Sequence, residues 1–126
     1  MKFTAGYWAV RPGFSLLRGL HIVDVREEEG GLAALVSTKR IEGRGDTLNR
    51  PVLRVLLRAV AEGVIGVTVS HHRGGVDRPP AFTLTGDGVV PQIGERHLTA
   101  GSLTARFAAD EWGLTFEEGG RVVTSS

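Results

Sequence analysis

Arg50-Pro51-Val52-Leu53-Arg54-Val55-Leu56-Leu57-Arg58-Ala59-Val60-Ala61-Glu62-Gly63-Val64-Ile65-Gly66-Val67-Thr68-Val69-Ser70 reads in two ways, and the choice sets the fold class. As a helix, arginines 50, 54 and 58 fall at i, i+4 spacing and line one face. The run from Arg58 to Glu62 adds fair helix propensity with no proline inside it. As a strand, Leu53, Val55 and Leu57 alternate with Arg54, Leu56 and Arg58. Ala61-Glu62-Gly63 then turns the chain into Val64 to Ser70, rich in the β-branched residues that suit a pleated surface. Strand, turn and strand account for both halves at once, and that reading is adopted.

Working outward, the same period of two recurs. Leu103, Ala105 and Phe107 alternate with Ser102, Thr104 and Arg106, and Trp112, Leu114 and Phe116 with Gly113, Thr115 and Glu117. These runs flank Ala109-Asp110-Glu111 and read as a hairpin with one buried face. Residues 20–26 and 32–37 form another, joined across Glu27-Glu28-Glu29-Gly30-Gly31. A short strand, 121–124, follows Glu118-Gly119-Gly120. Strands separated by frequent turns predict an all-β, antiparallel β-sandwich, taken as a single domain over 1–126. Two loops are longer, 39–50 and 73–80.

The chain has 126 residues, 18 of them glycine, and no cysteine, so disulfides and thiolate metal sites are excluded. A formal net charge of +1 argues against nucleic acid or an acidic membrane surface as partner. No apolar run reaches the length of a signal peptide or a membrane span, so a cytoplasmic location is expected.

Each candidate site residue has a plainer structural role to weigh. His71 and His72 are adjacent, so on a strand they point to opposite faces and do not share a metal without a bend. One packed and one solvated histidine is the simpler expectation. No metal or cofactor site is assigned. Arg44-Gly45-Asp46 reads as a turn in which glycine gives freedom and Asp46 bonds locally. The carboxylates are scattered or, at Glu27 to Glu29, clustered in a charge run typical of a solvated turn. No catalytic residue is assigned to the chain. Of the aromatics, Trp112 is in phase with Leu114 and Phe116 and reads as core. Tyr7 and Trp8 face opposite ways if extended, leaving one free to touch a ligand or a neighbouring domain. The loop after the second strand of the opening stretch carries the polar handles His71, His72, Arg73, Asp77 and Arg78. Together with Trp8 these are the contact or ligand residues expected from sequence. No phosphate-binding glycine loop or serine-nucleophile elbow is present.

Two blocks carry a resemblance. Gly6-Tyr7-Trp8-Ala9-Val10-Arg11-Pro12-Gly13 and the run from Glu62 through His71-His72-Arg73-Gly74-Gly75-Val76-Asp77-Arg78-Pro79 resemble the opening segment of bacterial α-xylosidases of glycoside hydrolase family 31. Residues 38–51, 101–106, 112–116 and 120–124 follow in the same order. The resemblance implies an N-terminal β-sandwich of galactose-mutarotase-like type beside an (α/β)8 barrel that holds the catalytic aspartates. It implies a chain that ends inside that sandwich and supports the barrel, with no catalytic residue of its own. The expected partners are that barrel, α-xyloside or α-glucoside sugars and a second copy of the chain. The alternatives are a free-standing carbohydrate-binding sandwich and the corresponding part of an α-glucosidase.

Overall fold

The computed structural model describes residues 12–40, 42–47, 51–71 and 88–126. Among these residues nine strands form two antiparallel sheets, each a simple meander. The first contains β1 (His21–Glu28), β2 (Gly31–Ser37), β3 (Val52–Ala61) and β4 (Val64–Ser70), in the order β1-β2-β3-β4. The second contains β5 (Gln92–Ile93), β6 (His97–Ala100), β7 (Leu103–Phe107), β8 (Leu114–Glu118) and β9 (Arg121–Ser125), again in sequence order. Among the described residues the only helical segment is one 3-10 turn, Arg44–Thr47, and no helix is long and apolar enough to cross a membrane. The strand reading of the opening stretch holds: Leu57 pairs with Val67 and Val55 with Val69 across the β3–β4 ladder.

The two sheets share one core. Ile22, Leu32, Ala34, Val36, Val55 and Leu57 from the first face Leu98, Ala105, Phe107 and Leu114 from the second. The period of two puts alternate residues of every strand on this inner face, which is why the alternating runs became strands. β2 is buried on both faces. Its outward Ala33 pairs with Leu56, also buried, among charged neighbours. Arg54 Nη2 lies 2.9 Å from Glu28 Oε1, and Arg58 Nη2 lies 2.6 Å from Glu29 Oε2. Arg54 Nε also donates to Glu28 Oε2 at 3.4 Å, so the pair combines a hydrogen bond with the close charge contact through the buried Nη2. The aliphatic stems of these arginines cover the apolar outer surface while their charges stay paired.

Two details differ from the sequence expectation. The β1–β2 turn is tighter than the five-residue link read from Glu27 to Gly31, because Glu27 and Glu28 are strand. Only Glu29 (φ 55°) and Gly30 (φ 71°) turn, both left-handed, as a two-residue type I′ hairpin requires. Glutamate is a poor residue for that conformation, yet its side chain meets Arg54 and Arg58. The second difference is the pair β5 and β6, which the sequence reading left without structure.

The sheets are tied by backbone as well as by core. Gly63 N–H, in the β3–β4 turn, donates to the Ala100 carbonyl at 3.0 Å, at the start of the β6–β7 turn. At the other end, the β7–β8 link reaches across to β1. Ile22 N–H donates to the Asp110 carbonyl at 2.7 Å and Trp112 N–H to the Leu20 carbonyl at 3.0 Å. A bridge between His21 and Glu111 lies between these two bonds. Part of the outer edge of β1 is therefore paired rather than open.

Coverage of the inner face is uneven. Val67 and Val69 of β4 stand in register with the buried Leu57 and Val55, yet they are 42% and 58% exposed. The described part of the second sheet packs on Ile65 of β4 and leaves these two valines partly uncovered. Phe14, Leu16 and Leu20, in the irregular segment before β1, are exposed as well.

Candidate functional site

The seam where the β7–β8 link pairs with β1 opens into a cleft of about 740 Å³. Its walls come from Gly19 to His21, from Arg40 and from Asp110 to Trp112. Local chemistry holds each wall. Leu20 N–H donates to the Ser37 carbonyl at 2.9 Å, which fixes the segment entering β1. Ser37, the one buried polar side chain among the described residues, bends the chain after β2. Its hydroxyl donates to the Lys39 carbonyl at 2.7 Å and accepts from Lys39 N–H at 3.2 Å, a local turn that sets the direction of Arg40. Thr38 Oγ1 donates to the Pro51 carbonyl at 2.8 Å and closes the base of the following loop.

The third wall is held from behind. Ala108 N–H donates to the Gly113 carbonyl at 2.8 Å, closing the link on itself. Arg96 Nε donates to the Ala108 carbonyl at 3.1 Å, and its Nη2 donates to the carbonyl of Ala109. Across the cleft, Arg40 Nη2 lies 3.2 Å from Glu111 Oε1 and Arg40 Nε lies 3.8 Å from Glu42 Oε1. Both side chains of the Arg40–Glu111 pair are largely exposed. The pair therefore adds little stability and leaves polar atoms facing solvent. Trp112 packs against the shared core, its ring centroid 6.4 Å from that of Phe107 at 57°.

Trp112 thus does what the sequence reading assigned it, and more. It is half-buried rather than enclosed, and it also borders a second, apolar groove of about 400 Å³ lined by Val36, Leu53, Val55 and Val69. Gly19 lies flush with it: a Cβ there would stand 3.6 Å from Trp112 Cδ2 and only 2.8 Å from Val36 Cγ1.

Of the site residues expected from sequence, His71 is exposed just beyond the end of β4. Trp8, His72, Arg73, Asp77 and Arg78 lie outside the described residues. The cleft draws on other residues: His21, Arg40, Asp110, Glu111 and Trp112. Glu111 meets Arg40 across the cleft, and Asp110 contributes its backbone carbonyl to the seam. Among the described residues no three histidines, cysteines, aspartates or glutamates gather to hold a metal ion.

No family model matches the chain. It is 33% identical over 84 residues to the α-xylosidase of Emericella nidulans, covering 67% of this chain and 11% of that enzyme. It is 34% identical over 71 residues to the α-xylosidase XylQ of Lactiplantibacillus pentosus, covering 56% of this chain and 9% of that protein. The chain spans about a tenth of the length of the curated relatives it matches. It is related in sequence to α-xylosidases, and the relationship takes in a fungal as well as a bacterial enzyme.

Proposed function

We propose that the chain is a non-catalytic β-sandwich portion of an α-xylosidase-type glycoside hydrolase, placed ahead of the catalytic barrel and supporting it. The carrying observation is the asymmetry of the similarity. Up to 67% of this chain matches an α-xylosidase, and the match takes up only 11% of that enzyme. A retaining glycosidase works with two carboxyl groups held about 5 Å apart around the scissile bond. The glutamates at 28, 29, 111, 117 and 118 lie instead against arginines or a serine on the sheet surfaces and at the seam.

Incubation of the purified 126-residue chain with aryl α-xylosides and aryl α-glucosides is expected to give no turnover above buffer. Turnover that survives purification and disappears in Glu111→Gln or Asp77→Ala would place catalysis in this chain and end the proposal.

The partner follows from the uncovered surface. Val67 and Val69 of β4, exposed on its inner face, suit either the barrel of the parent enzyme or a second copy of the chain. Alone at micromolar concentration, the chain is expected to associate as a two-fold dimer. Light scattering after size exclusion that finds a monomer of 13.5 kDa throughout a dilution series would refute the association.

A further inference from the structure

The outer face of the first sheet carries a side chain that charge holds down. We propose that Arg54, tethered by Glu28 and Glu29, is an acid-released strap over the apolar patch of Ala33 and Leu56. The strap is independent of the function proposed above.

Cross-strand register lays the outward residues of this sheet in rows. Asp24, Leu35, Arg54 and Ser70 form one row, and Arg26, Ala33, Leu56 and Thr68 the next. Glu28 and Gly31 begin a third, against Arg58 and Gly66. Arg54 therefore starts on one side of the patch and Glu28 stands on the other. Arg54 Nη2 nevertheless lies 2.9 Å from Glu28 Oε1, and its Nε donates to Glu28 Oε2 at 3.4 Å. To close that span the arginine side chain crosses the middle row. Ala33 and Leu56 in that row are 3% and 4% exposed, although neither belongs to the core that the sheets share. The aliphatic stem lies over them, and the Arg54 side chain is itself only 13% exposed.

The tether alternates in sign. Glu28 lies between Arg54 and Arg26, the latter at 3.6 Å, and Glu29 between Arg54 at 3.5 Å and Arg58 at 2.6 Å. Among the described residues, the charged groups placed on this face are Asp24, Arg26 and Glu28 from β1, Glu29 from the turn, and Arg54 and Arg58 from β3. β2 contributes Gly31, Ala33 and Leu35, and β4 contributes Gly66, Thr68 and Ser70, none of them charged. Asp24 stands in the Arg54 row on the far side of Leu35. Glutamates ordinarily take up a proton at about pH 4. With Glu28 and Glu29 neutral, three arginines share the face and Arg54 has lost both carboxylates that hold it. A buried guanidinium stripped of its partners is costly, so it turns out to water and uncovers the patch. The tether thus stabilises the face above this range and is lost as pH falls through it. Glu29 sits at φ 55°, so release of its arginines also loosens the β1–β2 turn.

The test is a double-mutant cycle of Glu28→Gln and Arg54→Met, read by urea melts from neutral pH down into the glutamate range. Arg54→Met keeps an unbranched chain over the patch and removes the charge. At neutral pH the coupling between the two changes is expected to be about tenfold in the folding equilibrium constant, the size of a charged hydrogen bond. It should shrink steadily as the pH falls. In parallel, the carbon-13 methyl signals of Ala33 and Leu56 are followed in the whole chain. They should move with acid in the wild type and stay in place in Arg54→Met. Absent coupling at neutral pH, coupling that acid leaves unchanged, or methyl signals that move equally in both proteins would overturn the strap. Should Arg54→Met fail to fold, Glu28→Gln decides alone. Its neutral-pH urea midpoint is expected to drop toward the acid value of the wild type, with a flatter dependence on pH. A pH dependence as steep as that of the wild type would refute the tether.

Discussion

Phe107→Ala is expected to cost about 3–5 kcal/mol, the range for emptying a buried aromatic position. Phe107 is 2% exposed and belongs to the one cluster that both sheets share. On β7 it pairs with Leu114 of β8, and it supports Trp112, whose backbone ties the second sheet to β1. Truncation thus removes core volume and loosens the seam together. Domains of this size are stable by roughly 5–15 kcal/mol in total, so the loss consumes a large share of the margin. A urea melt of the wild type and the variant measures it. A shift in midpoint equivalent to less than about 1 kcal/mol would mean that the sheets are not held by a common core.

The second large effect concerns neighbouring glycines that are needed for different reasons. At Gly31, a Cβ would overlap the carbonyl oxygen of Leu57 on the adjacent strand, with Arg58 Cγ only 3.2 Å away. Neither atom moves cheaply, because β2 and β3 pair in register from Leu32–Leu57 to Ser37–Val52. Gly31→Ala should cost about 3 kcal/mol as overpacking against backbone. Gly30 faces open space but has φ 71°, so Gly30→Ala should cost about 1–2 kcal/mol through the left-handed conformation alone. Gly30→Asn, whose side chain tolerates that region, should recover most of this loss, whereas Gly31→Asn should be no better than alanine. Equal melting temperatures for the two alanine variants would show that the close approach of β2 to β3 is not the constraint.

Most of the fold was legible because it is written in alternation. Alternation of Arg54, Leu56 and Arg58 with Leu53, Val55 and Leu57 left a helix open, and the β-branched run from Val64 to Ser70 beyond the Ala61-Glu62-Gly63 turn decided for strand. The hairpin ending in β8 and the strand at 121–125 were legible for the same reason. β5 and β6 were not. Two and four residues long, they offer only Ile93, Leu98 and Ala100 to the interior, too short a run for any period to emerge. The cleft was legible in part. Asp110 and Glu111 were placed between two strands and Trp112 against the core, and both placements hold. Their meeting with His21 and Arg40 was not readable, because it depends on a backbone pairing between segments some ninety residues apart. Periodicity reports which face of a strand is buried, not which distant strand it meets. The expected contact loop was singled out by its polar composition, which marks solvent exposure as readily as contact.

The two meanders also bear on how the chain finds its structure. Among the described residues every ladder joins strands adjacent in sequence, and within each sheet all the connections are short except residues 38–51 between β2 and β3. Sandwiches built as Greek keys must hold long connections open until a distant strand returns. Here the contacts most distant in sequence join one meander to the other, through Gly63 to Ala100 and Leu20 to Trp112. Closure of the short hairpins is therefore expected to precede the docking of the two sheets, the step that brings the most distant segments together.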